Sequence, residues 1–282
     1  MSSSAPTGGA SPPTAIDLSG VPETALWPLW NRAMDMSRAD RLVEDPMAAE
    51  LVDRIDYDFR GHFGRPSAFH SIRARVGDDL IRDYLSRTQD EPVVVGLGEG
   101  LDHQLWRIDD QRVRWITVDL PELIHVRQRL LPSHPRASLV AGSALDPAWM
   151  GTVPAGAPPF ITAGGVLMYF TENDVRALLS RIAERFPGAE IFFDAIPPFA
   201  SRRTLNGAKV TKLYTAPPMP WGISVDDLPG FLRSIPNLDP VTVQTYADPF
   251  PHRLRFYWLL SFIPPVRRTF AGSLAHARVL TS

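Results

Sequence analysis

A β-branched run, Val93-Val94-Val95, leads into Gly96-Leu97-Gly98-Glu99-Gly100-Leu101-Asp102, and a second run, Val113-Arg114-Trp115-Ile116-Thr117-Val118, ends on Asp119. Close-spaced glycines after a short apolar strand make a tight turn where a ligand approaches bare backbone. An acid about 20 residues further on, at the end of the next strand, is placed to bind ribose hydroxyls. The spacing predicts a parallel α/β sheet with a site for an adenosine-containing cofactor at its carboxyl edge.

A dinucleotide and S-adenosylmethionine both use an acid at the second strand end. The dinucleotide fingerprint also wants a third small residue, so that a helix N-terminus comes close to pyrophosphate. That position is His103, whose ring would crowd such a helix, and S-adenosylmethionine has no pyrophosphate. The bulky residue favours the sulfonium cofactor over NAD(P).

Composition narrows the partners. The chain has 282 residues, 44% of them apolar, enough for a substantial core, and a net charge of −2. Arginine supplies nearly all of its positive charge, with Lys209 and Lys212 as its only lysines, and no dense basic run marks a nucleic-acid footprint. Without cysteine there are no disulfides, thiolate metal sites or cysteine nucleophile, and the histidines lack metal-ligand spacing, so no metal is expected. Phe256 to Ile263 is apolar but stops at Pro264-Pro265, far short of the roughly 20 residues that span a bilayer; it reads as a buried or substrate-facing helix. A cytoplasmic protein with no nucleic-acid or membrane partner is expected.

Three regions follow from the patterning. Residues 1–18 are rich in Ser, Pro, Gly and Ala, lack the features of a secretory signal and read as a disordered tail. Residues 19–91 read as helices: Trp27, Trp30 and Met34 suggest one; Asp45-Pro46 caps a second carrying Ala48, Leu51, Val52 and Ile55; Phe69, Ile72, Val76 and Leu80 mark a third. From 92 to 282 strands alternate with helices, with strands at 93–97, 113–118, 138–141, 159–163, 189–194, 241–246 and 274–280. Thr171-x-x-Asp174 caps a helix that Gly188 terminates, and Ser224-x-x-Asp227 caps a short one. The proline-rich stretch from Pro197, within an insertion at about 197–235, reads as a loop covering the substrate.

Several segments in order resemble the leucine carboxyl methyltransferase family. They include Asp45-Pro46-x-Ala48, Ser71-Ile72-Arg73-Ala74-Arg75, Gly98-Glu99-Gly100-Leu101-Asp102, Val118-Asp119-Leu120-Pro121-Glu122, Ala141-Gly142-Ser143-Ala144-Leu145-Asp146, Gly165-Val166-Leu167-Met168-Tyr169 and Phe193-Asp194-Ala195. The resemblance implies a Rossmann-like class I methyltransferase fold: a seven-stranded, mostly parallel sheet with an antiparallel last strand, and helices added in front as a lid.

It also implies roles. Arg73 would grip the cofactor carboxylate, since a guanidinium fork matches a carboxylate with two parallel hydrogen bonds. Gly98, Glu99 and Gly100 would pass under the methionine portion, Asp119 and Leu120 would meet the ribose, and Ser143, Ala144 and Leu145 would lie beside the adenine. Tyr169 would line the methyl-transfer cavity. The family generally carries Glu or Gln where this chain has Gly164, so one polar contact near the cofactor amine or substrate is missing.

Methyl transfer from a sulfonium is an in-line displacement whose leaving group needs no proton, so catalytic side chains can be few. A carboxylate acceptor is ionised at neutral pH, whereas a hydroxyl benefits from a general base. No base signal stands out, and no G-x-S-x-G elbow indicates a serine nucleophile. His70, on the helix of Arg73, is the best-placed histidine, and Arg202, Tyr214 and Trp221 are candidates for recognising an anionic, flat acceptor beside Tyr169. The reading is an S-adenosylmethionine-dependent O-methyltransferase that leaves S-adenosylhomocysteine and acts on a small molecule, most plainly a carboxylate of a polyketide-like specialised metabolite. Methylation of a hydroxyl or carbon, an NAD(P)-dependent oxidoreductase and a non-catalytic cofactor-binding protein are the alternatives. Acceptor identity and oligomeric state have no sequence signal.

Overall fold

Seven strands form a single sheet in the order β3-β2-β1-β4-β5-β7-β6. They are β1 (Val93–Leu97), β2 (Arg114–Asp119), β3 (Ala137–Ala141), β4 (Phe160–Ala163), β5 (Glu190–Ala195), β6 (Leu238–Thr245) and β7 (Ser273–Val279). The computed structural model describes residues 14–281 except 90 and 157. Only β7 runs against its neighbours, pairing antiparallel with both β5 and β6. The expected class I methyltransferase sheet is therefore present. Strand order reverses between β1 and β4, which opens a crevice at their carboxyl ends.

Eleven helices surround the sheet among the described residues: α1 (Leu26–Met36), α2 (Pro46–Arg54), α3 (Phe59–Phe63), α4 (Phe69–Arg87), α5 (Gln104–Ile108), α6 (Pro121–Leu130), α7 (Glu172–Arg185), α8 (Pro198–Leu205), α9 (Leu228–Arg233), α10 (Arg255–Leu260) and α11 (Pro264–Phe270). Their ends follow the expected chemistry. The Asp45 side chain accepts from Ala48 N–H at 3.1 Å, and Thr171 and Asp174 form the reciprocal capping box of α7. Every β1 and β5 residue is buried, as a parallel sheet covered on both faces requires.

The front helices do not stand apart from the sheet. Ile72, Ile81, Tyr84 and Leu85 of α4 share one core with Val94, Trp115, Phe160 and Phe192, so α4 covers a sheet face. The helices α1 to α3 form an adjoining core that also holds Leu101, at the glycine turn, and Val126 and Leu130 of α6.

Two expectations need correction. Residues 1–13 of the expected tail lie outside the described residues, but Thr14 already bridges Ile55, and Ile16 and Leu18 pack on the front helices, because an apolar surface is there to receive them. Of the two readings of the 256–263 stretch, the buried one fails, since neither α10 nor α11 contains a buried residue and Phe256 and Phe262 are 69% and 66% exposed, whereas Tyr257 lines the cavity at the carboxyl edge of the sheet. Among the described residues no helix is long and apolar enough to cross a membrane.

Candidate active site

The glycine turn leaves β1 in a left-handed conformation, with φ of 62° at Gly98 and 55° at Gly100. A Cβ at Gly98 would stand 2.6 Å from the Val166 side chain, so the turn admits no larger residue there. Gly98 N–H donates to Val118 O at 2.8 Å, Gly100 N–H to Asp119 Oδ2 at 2.7 Å, and Leu120 N–H to Asp119 Oδ1 at 2.8 Å. The acid at the end of β2 thus clamps the turn directly. Burial raises the Asp119 pKa, against the pull of those two backbone donors.

Beneath the turn lies a buried charge network. Arg32 donates to Leu101 O and to Asp45, and Arg127 donates to Gly100 O at 2.6 Å and Asp102 O at 3.1 Å. Arg107 reaches Asp45 at 3.0 Å, Asp102 at 2.6 Å and Asp78 at 2.8 Å. Burial would raise the Asp45 pKa, but the His103 hydrogen bond and the Arg32 and Arg107 charges hold it well below the carboxylate range. His103 turns away from the strand, donating from Nδ1 to Asp45 Oδ1 at 2.9 Å. The residue that denies a helix its close approach instead joins the turn to the front helices.

Glu99 belongs to this floor. Trp115 Nε1 and Thr117 Oγ1 donate to its carboxylate at 2.9 and 2.5 Å, and Arg127 lies 3.5 Å away. Burial raises its pKa despite these partners. The expected cofactor contact thus directs its carboxylate at β2, leaving its backbone in the turn.

Above the floor a cavity of about 550 Å³ occupies the crevice, within the range of roughly 300–1,000 Å³ common for small-molecule sites. His70 and Arg73 project into it from α4, Gly98 and Asp119 from the strand ends, and Tyr169 from the segment after β4. Arg73 Nη1 donates to Asp194 Oδ2 at 3.1 Å; Asp194 also accepts from Gly165 N–H and Tyr246 Oη, each at 2.5 Å. Burial and the neighbouring Asp194 push the Tyr246 pKa well above its ordinary value. Arg73 stays firmly charged: burial opposes its charge, but Asp194, Tyr246 and Asp102 together outweigh it. Sequence reading missed Asp194 and Tyr246 as site residues; the apolar strand ending on an acid at 194 was the available signal.

Gly164 and Gly165 explain how Arg73 fits. A Cβ at Gly164 would meet the Arg73 Cδ and Nε at 3.3 Å, and one at Gly165 would stand 2.5 Å from Nη1. The arginine fills the space that a Glu or Gln at 164 would take.

The other expected residues divide. Leu120, Ser143 and Ala144 line the cavity, whereas Leu145 does not and packs on the core. Ser143 Oγ accepts from Leu145 N–H at 3.2 Å, a turn-closing role. Tyr169 lines the cavity, and burial raises its pKa. Arg202, Tyr214 and Trp221 do not line it. Arg202 is exposed on α8, pointing its charge to solvent. Tyr214 is buried against Trp27 and Phe63, and Trp221 against Phe193 and Phe231, because large rings in a proline-rich segment gain more from core burial than from covering a ligand. From that segment Pro197, Ala200 and Met219 reach the cavity instead.

A class I sheet with its crevice at the β1/β4 switch point, a glycine turn clamped by a strand-end acid and an arginine facing the cavity define a methyltransferase. The chain belongs to the leucine carboxyl methyltransferase family, whose model matches residues 25–183. It is 34% identical over 213 residues to the tetracenomycin polyketide synthesis O-methyltransferase TcmP of Streptomyces glaucescens, covering 74% of this chain and 77% of that protein. It is 30% identical over 201 residues to the S-adenosyl-L-methionine-dependent methyltransferase dpfgK of Gibberella zeae, covering 64% and 67%. Among solved structures, the N-methyltransferase NodS of Bradyrhizobium japonicum, in complex with S-adenosylhomocysteine, aligns over 90% of this chain and 98% of that one, at 14% identity and a TM-score of 0.45.

The protein is thus an S-adenosylmethionine-dependent methyltransferase. Its residues fit that cofactor. A carboxylate offers about four lone-pair sites and Asp119 uses two, which leaves two for a diol. Arg73 gives one hydrogen bond to protein among the described residues and has five N–H donors. No group of three or more His, Asp or Glu among the described residues could hold a metal ion.

Proposed function

We propose that the enzyme methylates an oxygen of a small-molecule acceptor, a carboxylate on a bulky apolar body of the polyketide type, in the cytoplasm. The single observation that carries this reading is the continuity of the cavity. One cavity is lined both by Asp119 and the Arg73–Asp194 pair and by Met219 and the half-exposed rings of Tyr257 and Phe270. The similarity to an O-methyltransferase of polyketide synthesis supports the same acceptor class.

Bound S-adenosylmethionine supplies an electrophilic methyl group whose thioether leaving group takes no proton. Asp119 would hold the ribose hydroxyls, with Leu120 beside them, and the Ser143 and Ala144 backbone would flank the adenine. Arg73 would bind the amino-acid carboxylate, held in place by Asp194 and by the absence of side chains at 164 and 165. The front helices α1 and α4 act as the lid of the site and exclude water. With an ionised acceptor the remaining task is alignment, which supplies roughly 7–11 kcal/mol of a barrier when reacting atoms are held in line.

The test is turnover with S-adenosylmethionine and a matched pair of acceptors, anthraquinone-2-carboxylate and 2-hydroxyanthraquinone, followed by mass spectrometry. The expected product is a carboxyl methyl ester that mild base saponifies. Methylation of the phenol alone, giving a base-stable ether, would overturn the carboxylate assignment.

A further inference from the structure

His70 sits one turn before Arg73 on α4, so both side chains share the helix face that looks into the cavity. Its surroundings fix which nitrogen carries the proton. Asn31 Oδ1 accepts from Ser67 N–H at 3.3 Å, which sets the orientation of the Asn31 amide, because the reverse would bring two donors together. Asn31 Nδ2 therefore faces His70 Nδ1, at 2.6 Å, as a donor. Nδ1 must accept, and in a neutral ring the proton then lies on Nε2.

Two further facts favour the neutral ring. Burial, with Arg73 on the same helix and Arg32 on α1 as the charges that act on it, holds the His70 pKa well below its ordinary value. The Trp27 ring meets it in an edge arrangement at 5.7 Å between ring centroids and brings no charge. Nε2 has no hydrogen-bond partner among the described residues, yet it is not among their enclosed polar atoms that lack one. The ring is half-buried and lines the cavity, so this N–H is open to the space an acceptor would fill.

We infer that His70 seats the acceptor by donating Nε2–H to an oxygen that arrives already ionised, and that it takes no proton in the reaction. The inference deepens the carboxylate reading and rests on it. One carboxylate oxygen would accept from His70 while the other attacks: its lone pair forms the new C–O bond, and the methyl carbon–sulfur bond breaks with its electron pair left on sulfur. No proton moves. The acceptor loses its charge as the ester forms, which weakens the hydrogen bond from His70 and favours release. A neutral hydroxyl finds no base in His70, because the lone pair of the ring is already occupied by Asn31.

The test is long-range proton–nitrogen NMR of the histidine rings in the full chain saturated with S-adenosylhomocysteine, with His70 assigned by its loss in His70→Gln. The expected spectrum shows an Nε2-protonated neutral ring from pH 5.5 to 8, and an Nε2–H signal that moves when anthraquinone-2-carboxylate is added. In parallel, His70→Phe should lower kcat/KM for that acid roughly 10- to 100-fold, as loss of a hydrogen bond to a charged group does. His70→Gln, which restores an N–H, should recover most of it, with S-adenosylhomocysteine affinity unchanged throughout. A proton on Nδ1, a ring that titrates in this range, or a kcat/KM in His70→Phe equal to wild type would overturn the inference. Failure to bind S-adenosylhomocysteine would instead strike at the cofactor site, so the two failures are separable.

Discussion

The floor and the rim of the cavity are built on opposite principles. On the floor, Arg32, Arg107 and Arg127 are buried beside Asp45, Asp78, Asp102 and Glu99, and the carbonyls of Leu101, Gly100 and Asp102 accept from Arg32 and Arg127. On the rim, Tyr257 of α10 and Phe270 of α11 line the cavity while at least half exposed, and neither helix buries any residue. A buried ionic lattice of this kind fixes geometry more than it adds stability, since desolvation consumes much of its Coulomb attraction. The floor is thus pre-organised for one ligand, whereas the rim holds apolar surface that can adapt to another.

The sharpest break of this contrast is Arg107→Met. It strips a partner from the buried carboxylates of Asp45 and Asp78 and from the partly buried Asp102 at once, and should cost about 3–5 kcal/mol of stability in urea unfolding, as breaking a buried pair does. Asp119→Ala should follow, weakening S-adenosylhomocysteine binding by about 1–3 kcal/mol in calorimetry. An unchanged dissociation constant would remove Asp119 from the site. Arg73→Ala should weaken S-adenosylhomocysteine roughly tenfold or more, yet leave 5′-methylthioadenosine, which lacks the carboxylate, within about twofold. Equal losses would make Arg73 structural.

Acid should also expose the interior charges. Burial would raise the Glu190 pKa, but hydrogen bonds from His276 and Arg87 bring it down to about 2. A carboxylate depressed on folding contributes stability that is present above its unfolded pKa, near 4, and lost as pH falls through the folded value. Tm should therefore fall between pH 5 and pH 2, and less so in Glu190→Gln. Smallest of all, Phe256→Ser and Phe262→Ser should change the unfolding free energy by no more than about 0.5 kcal/mol, because neither ring is buried.

The same contrast governs what the sequence discloses. The strands leading to Gly98 and Asp119 are legible because buried parallel strands read as short β-branched, mostly apolar runs, and the α7 cap is legible because its two partners lie three residues apart. Arg73 and Asp194 are separated by 121 positions, so only the sheet brings them together, and Tyr246 joins them from the far end of β6. The tautomer of His70 depends on Asn31 and Ser67, which no spacing links. Composition misleads in two places: the rings of Tyr214 and Trp221 hide in cores beneath a proline-rich segment, while the apolar run at 256–263 is largely exposed, with Tyr257 at the cavity. Local patterns report elements, and the pairing of distant polar groups reports the site.

The most direct test of the central claim is a crystal structure of the full chain with S-adenosylhomocysteine. The account predicts the ribose hydroxyls on the Asp119 carboxylate, the amino-acid carboxylate on Arg73, and the sulfur facing the space beside His70 and Tyr169. A ligand bound outside the crevice between Gly98 and Asp119, or one whose ribose makes no contact with Asp119, would contradict it.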